Sequence, residues 1–140
     1  MRKITLIVPY YENPEMFRIQ QEKWLKWPSC LREKTEIIVV DDGSSRSPAQ
    51  FELCYEIISQ NIEPVLNFKL FRVKEDIPWN WIACRNIGAH EASGDYLMMT
   101  DMDHIVTSDL LEYLYKIKTE YHPKQVFYVP VRVDGPDNMP

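Results

Sequence analysis

Cysteine is scarce in this 140-residue chain. Cys30, Cys54 and Cys84 are odd in number, widely spaced and outside any Cys-x-x-Cys pair, so reduced thiols and a cytoplasmic setting are expected. Long apolar runs are missing too: nothing approaches ~18 residues, and Ile4 to Val8 is too short for a signal-peptide core, so neither export nor membrane spanning is encoded. Positive charge is in deficit, with 16 Lys+Arg against 21 Asp+Glu and a net charge of −5. This leaves no electrostatic footprint for nucleic acid and favours a small, metal-chelated nucleotide partner. There is no internal repeat, no Gly/Ser linker and no Gly-rich phosphate loop after the first apolar run. What is present, 45% hydrophobic and 26% charged residues, fits one soluble globular domain over residues 1–140. A domain of this length buries roughly two-thirds of its unfolded surface, so its core needs no disulfide or structural metal.

Short β-branched runs alternate with stretches of helical period. Ile4 to Val8 predicts a buried strand, and Asn13-Pro14-Glu15 starts a helix that runs to about Trp27 and ends at Pro28. Glu36 to Val40 predicts a second strand. Ser47-Pro48 then opens a helix whose stripe is Phe51, Cys54, Tyr55, Ile58 and Ile62. Phe68 to Val73, alternating apolar with basic residues, predicts a third strand nearer the sheet edge. A helix from Trp81 to Ala92 stops at Gly94, in the left-handed position after the helix end, and Asp95 to Thr100 makes a fourth strand. Ser108 or Asp109 caps a helix striped by Leu110, Leu114, Ile117 and Tyr121, and Val126 to Val133 predicts a fifth strand. Arg32-Glu33-Lys34 is expected as solvated loop. The expected fold class is α/β, a doubly wound, largely parallel sheet with helices on both faces. The final turn sequence, Asp134 to Pro140, leads nowhere, and the chain is expected to stop inside a fold.

Ligands of such sheets bind beyond the carboxyl ends of the strands. The residues there are Pro9-Tyr10-Tyr11-Glu12 after the first strand, Asp41-Asp42-Gly43-Ser44-Ser45 after the second and Asp101-Met102-Asp103-His104 after the fourth. Asp101-Met102-Asp103 is the sharpest signal: two carboxylates at a strand end can share one hard divalent cation, or a cation and a sugar hydroxyl, although the same pattern is also common in solvated loops. Asp41-Asp42-Gly43 is turn chemistry, or a paired acid facing a ligand N–H. Tyr10 and Tyr11 either roof the core or offer a face to a base. Arg85 suits phosphate oxygens or a salt bridge to Glu91, Asp95 or a loop acid. His104 is an additional ligand or a hydrogen-bond partner. Trp79 and Trp81 are expected to pack, His90 and His122 to sit on the surface, and Trp24 and Trp27 to mark an interface or a core stripe.

In order, these segments resemble the nucleotide-binding half of a GT-A glycosyltransferase of family 2. Ile4 to Glu12 resembles the opening strand and its Pro-x-Tyr segment, and Glu36 to Ser45 the strand ending in Val-Asp-Asp-Gly-Ser. Arg85-Asn86-Ile87-Gly88, Ala92-Ser93-Gly94-Asp95-Tyr96-Leu97 and Asp101-Met102-Asp103 resemble the Arg-Asn-x-Gly, Ala-x-Gly-x-Tyr-Leu and D-x-D series. The resemblance implies a nucleotide-diphosphate sugar donor, a UDP-sugar first among them, with Pro9 and Tyr11 beside the base and Asp42 accepting from a base N–H. It places Arg85 near the diphosphate, Asp101 near the ribose or sugar and on the metal, and Asp103 on the metal, which would be Mn²⁺ or Mg²⁺. Transfer to an acceptor hydroxyl with inversion is implied. The base for that step would come from an acceptor-binding half that this sequence lacks, so no catalytic residue is assigned; acceptor identity and homo-oligomerisation stay open. The alternatives are a non-catalytic nucleotide-sugar binding module or inactive fragment, a phospho-acceptor receiver domain and a nucleotidyltransferase. Paired acids in a receiver should follow the first strand, whereas Asp41 and Asp42 follow the second. His104 stands where family members often carry another acid or a small polar residue.

Overall fold

The computed structural model describes residues 3–59 and 66–117. Four parallel strands, β1 (Ile4–Tyr10), β2 (Thr35–Asp41), β3 (Asn67–Arg72) and β4 (Tyr96–Met99), form one sheet in the order β3-β2-β1-β4. This order starts the dinucleotide-binding arrangement and excludes the receiver arrangement, in which the third strand lies on the other side of the first. Because every strand runs the same way, the chain leaves β1 at Tyr11, β2 at Asp42, β3 at Val73 and β4 at Thr100 along one rim. The order reverses between β1 and β4. Val126 to Val133, Ile62, Tyr121 and His122 lie outside the described residues.

Alternation along the strands divides two cores. Leu6, Val8, Ile37 and Val39 face Phe17 and Trp24 of α1 (Pro14–Leu25), Leu31 of α2 (Ser29–Lys34) and Leu111 and Tyr115 of α5 (Ser108–Ile117). Ile38 and Val40 face Cys84 of α4 (Trp81–Glu91) on the opposite side. A Cβ at Gly88 would run into Ile7, so this glycine lets α4 lie close on β1. The sheet is thus covered on both faces, as expected, and β3 is an edge strand. Asn13 caps α1 by accepting from the Met16 N–H at 3.3 Å, with Pro14 in the first turn. Trp24 and Trp27 are core residues, 0% and 3% exposed.

Several local expectations are corrected. The helix expected from Ser47-Pro48 is a single 3-10 turn at Ala49–Phe51 followed by the short α3 (Tyr55–Ile58), and Phe51, Tyr55 and Ile58 are exposed. The buried Gln21 interrupts the ladder, while Asp41 holds a first-turn N–H. Asp41 Oδ2 takes the Ala49 N–H at 2.8 Å, while Gln21 accepts from the Cys54 N–H at 2.7 Å and donates to the Glu52 carbonyl at 2.9 Å. Arg32-Glu33-Lys34 closes α2 instead of forming loop, with Lys34 Nζ 4.2 Å from the centre of the Tyr115 ring. Thr107, not Ser108 or Asp109, caps α5 through the Leu110 N–H, and the face of α5 centres on Leu111 and Tyr115, with Leu110 and Leu114 at its margin. Gly94 is not left-handed. It is required because a Cβ there would stand 2.6 Å from Thr5 Oγ1 and 2.7 Å from Thr5 N.

The run Glu36 to Val40 is apolar except for its first residue, and Glu36 is buried with its partners supplied. It accepts from Thr5 Oγ1 at 2.6 Å and the Ser93 N–H at 2.8 Å, and pairs with Lys69 Nζ at 2.6 Å. Burial pushes this carboxyl up, but Lys69, Ser93 and Thr5 outweigh it and hold it below the usual range. Its contribution to stability is therefore complete above the ordinary glutamate range and lost as pH falls through its lowered folded value. Glu36→Gln is expected to lower unfolding free energy by about 2 kcal/mol at pH 7, because Lys69 keeps part of its hydration. Urea unfolding at pH 7 and pH 3 checks this; the difference should shrink in acid.

Candidate functional site

The loops on the rim are built by their own acids. Glu12, at φ 44°, accepts the N–H groups of Ser45, Arg46 and Ser47 at 2.6, 2.9 and 2.9 Å, and those bonds, led by Arg46, hold its carboxyl below the usual range. Asp41 accepts from Ser44 and Ala49. The paired acids therefore divide: Asp41 is spent on the backbone, and Asp42 opens onto a cavity of about 440 Å³ lined by Tyr11, Asp42, Asp76, Ile77, Pro78, Trp79 and Trp81. Gly43, at φ 79°, makes the turn beneath it, and a Cβ would stand 3.0 Å from the backbone of Glu75 and Asp76.

Asp42 is 7% exposed, and its Oδ1 is buried without a hydrogen-bond partner. Burial pushes its carboxyl above the usual range, Asp76 and Asp41 add to this, and the Cys84 thiol and the Asn80 N–H oppose it. The Cys84 thiol is itself pushed up to about 12 by burial and by Asp42. The two tyrosines also divide. Tyr10 is buried and donates to the Ser47 carbonyl at 2.6 Å, whereas Tyr11 stands in the cavity wall and donates to Asp76 Oδ2 at 2.8 Å. Pro9 lies one step back, inside β1 and outside the cavity lining.

The tryptophans correct an expectation. Trp79 is 89% exposed at φ 59°, Trp81 is also exposed, and both line the cavity instead of packing into a core. An indole held in the left-handed region is a strained arrangement. Trp81 also connects the cavity to the acidic loop: the Arg85 guanidinium lies 4.5 Å from its ring centre, and Arg85 Nη2 donates to Asp101 Oδ1 at 2.6 Å. Arg85 thus makes the salt bridge to a loop acid, Asp101, while its Nε is buried without a hydrogen-bond partner among the described residues. One ligand atom each from Asp101, Asp103 and His104 lie within 4.8 Å of one another. Hard carboxylate oxygens with one imidazole suit Mn²⁺ and accept Mg²⁺, and the partial exposure of all three leaves coordination positions for phosphate oxygens.

The loop that carries these three residues is fixed from α1. Buried Gln20 donates to the Met102 carbonyl at 2.9 Å and the His104 carbonyl at 2.7 Å, while the Met102 side chain is buried in the α1 core. Trp27 Nε1 donates to the Val106 carbonyl at 3.2 Å. Gln20→Leu is expected to leave the fold intact and weaken Mn²⁺ affinity about 10-fold, in the range for a residue that orients ligands. Titration with Mn²⁺ followed by electron paramagnetic resonance measures it.

Gln20 escaped sequence reasoning because nothing in a helical stripe announces a side chain that reaches the far end of β4. Asp76 had a legible signal. It follows β3 as Asp42 follows β2, and the rule that reads residues beyond each strand covers it.

With the rim assembled, comparison with known proteins is decisive. The family described as Glycosyl transferase family 2 matches residues 5–138. The chain belongs to glycosyltransferase family 2. Among curated relatives, an uncharacterized glycosyltransferase of Haemophilus influenzae is 34% identical over 117 residues, covering 80% of this chain and 40% of the relative. Glycosyltransferase GlyA of Streptococcus pneumoniae is 29% identical over 119 residues, covering 85% of this chain and 15% of the relative. The family 2 chain thus spans less than half the length of either. Among solved structures, S. aureus TarS 1–349 superposes with a TM-score of 0.62 at 22% identity, over 84% of this chain and 32% of that one. The mannosyltransferase PcManGT of Pyrobaculum calidifontis, in complex with GDP-Man and Mn²⁺, gives 0.63 at 21% identity, over 83% and 32%. TarS has also been solved with UDP, at a TM-score of 0.60 and 23% identity, over 84% and 32%. These likenesses establish the GT-A fold for the family 2 chain. Among its described residues, no helix is long and apolar enough to cross a membrane.

Proposed function

We propose that the chain binds a nucleoside diphosphate sugar with a divalent metal and serves as the donor half of a transferase that delivers the sugar to an acceptor hydroxyl with inversion. The observation that carries this reading is the continuous line of contacts from a cavity whose carboxylate Asp42 has one unpartnered oxygen, through Trp81 and Arg85, to Asp101, Asp103 and His104. In it, the base enters beside Tyr11, with Pro9 one step behind in β1, and Asp42 Oδ1 takes a base N–H, which supplies the missing partner of a buried acceptor. The Arg85 Nε, also unpartnered, faces the diphosphate. Asp101, held by Arg85, and Asp103, with His104 beside it, would hold Mn²⁺ or Mg²⁺, and such an ion neutralises the charge that grows on a leaving diphosphate. Complexes of structural neighbours with UDP and with GDP-Man and Mn²⁺ support a donor of this class. The base that deprotonates the acceptor hydroxyl is left unassigned.

Isothermal titration of the chain with UDP, GDP and CMP, with and without Mn²⁺, tests the reading. Tight binding of a nucleoside diphosphate that depends on metal is the expected result. Absence of binding by all three overturns it, and binding without donor hydrolysis or transfer reduces it to a nucleotide-sugar binding module. Nuclear magnetic resonance of the product's anomeric proton reads the stereochemistry.

A further inference from the structure

The cavity wall is rich in acceptors and poor in donors. Two carboxylates line it: Asp42, with a buried and unpartnered Oδ1, and Asp76, one of whose oxygens takes the Tyr11 hydroxyl hydrogen while the other is left for a ligand. That bond also commits the Tyr11 hydrogen, so the tyrosine does not donate to what enters. Among the described residues, Ile77 and Pro78 offer only apolar side-chain surface, which leaves the Trp79 and Trp81 indole N–H groups as the side-chain donors of the wall. Asp76 stands beside Asp42 in the wall, since a Cβ at the neighbouring Gly43 would lie 3.0 Å from the Asp76 backbone, so both carboxylates border the same cavity.

The nucleobases differ in what they present to such a wall. Uracil offers a single N–H between two carbonyl oxygens; one carboxylate takes the hydrogen and the second is left facing a carbonyl. Guanine offers N1–H and the 2-amino group side by side, three hydrogens on two nitrogens bonded to one carbon, with its one carbonyl at the end of the edge. Cytosine and adenine each offer one amino group next to a bare ring nitrogen. At about 440 Å³ the cavity accommodates either ring size, so hydrogen-bond matching decides. Building on the donor-site reading above, we infer that this cavity selects a guanine nucleotide over a uracil nucleotide, and that Asp76 is the residue that determines the choice by accepting from the 2-amino group while Asp42 accepts from N1–H. This revises the UDP-sugar expectation drawn from the resemblance.

The test is equilibrium binding of GDP, IDP and UDP at saturating Mn²⁺ to the parent chain, Asp76→Asn and Tyr11→Phe. IDP is the probe for the 2-amino group, which it lacks. GDP is expected to bind about 10-fold or more tighter than both IDP and UDP, the discrimination a charged hydrogen bond supplies. Asp76→Asn should weaken GDP about 10-fold and leave UDP within about twofold, closing the gap. Tyr11→Phe keeps the carboxylate and should keep the preference for GDP over UDP, which separates direct reading by Asp76 from a role in holding the Tyr11 ring. Asp76 is exposed, so its variant should fold, and circular dichroism verifies this. UDP binding as tightly as GDP, IDP equalling GDP, or a GDP preference unchanged in Asp76→Asn would each overturn the inference while leaving the donor site standing. Failure of every nucleotide to bind overturns both.

Discussion

Asp42→Asn is expected to bind nucleoside diphosphate roughly 10- to 100-fold more weakly than the parent, the loss expected for a hydrogen bond to a charged group through a buried oxygen. The same substitution should raise the melting temperature of the free chain at pH 7. Both effects have one source. The carboxylate is 7% exposed and one of its oxygens has no partner, so the folded, ligand-free chain holds a charge it does not fully solvate. The direction in pH follows from linkage. Burial raises the folded value above the unfolded one, so the folded state binds more protons between the two. The penalty is absent below the unfolded aspartate range and is complete above the raised folded value. The melting temperature of Asp42→Asn should therefore exceed that of the parent by a few degrees at pH 7, and the two should converge toward pH 3. Scanning calorimetry across that range reads the difference. A variant less stable at pH 7 that binds nucleotide normally would mean that Asp42 is an ordinary structural acid.

Asp103→Ala is the second large effect. The expected result is a nucleoside diphosphate affinity that no longer responds to Mn²⁺, with a loss of at least roughly 100-fold in metal-supported binding, since removing a ligand costs more than removing a residue that orients one. Stability should stay within about 0.5 kcal/mol, because half-exposed Asp103 makes no backbone bond comparable to those of Asp41 or Glu12. Asp101→Asn makes an informative contrast. It changes a proposed metal ligand and also weakens the pairing of Arg85, so it should reduce both metal-free and metal-supported binding, whereas Asp103→Ala should reduce only the latter. Equal effects of the two substitutions on metal-free binding would contradict this division of labour.

Asp41 and Asp42 show how far the residues could be read before the fold was known. Adjacent acids at the end of an apolar run belong on a rim, but which one is spent on the loop depends on where the Ser44 and Ala49 N–H groups come to rest. The same limit explains the failed helix after Ser47-Pro48. Its periodicity was genuine, yet Gln21 claimed the Cys54 N–H and the Glu52 carbonyl, backbone groups that an α-helix would have paired internally. Trp79 and Trp81 were assigned to packing on composition, and only the turn at Trp79 and the start of α4 show them standing in the cavity wall.

By itself, the order of apolar runs and helical stretches determined an α/β sheet, the end of that sheet at which chemistry gathers, and the family to which the chain belongs. Those properties follow from patterns local in the chain: side chains alternate along strands, and long connections make neighbouring strands parallel. Only the tertiary structure decided that Asp42 keeps an unpartnered oxygen, that Asp76 shares its cavity, that Arg85 joins Trp81 to Asp101, and that Gln20 holds the loop of Asp101, Asp103 and His104. Each depends on distances between segments tens of residues apart, set by the packing of whole helices against the sheet, which no local pattern records.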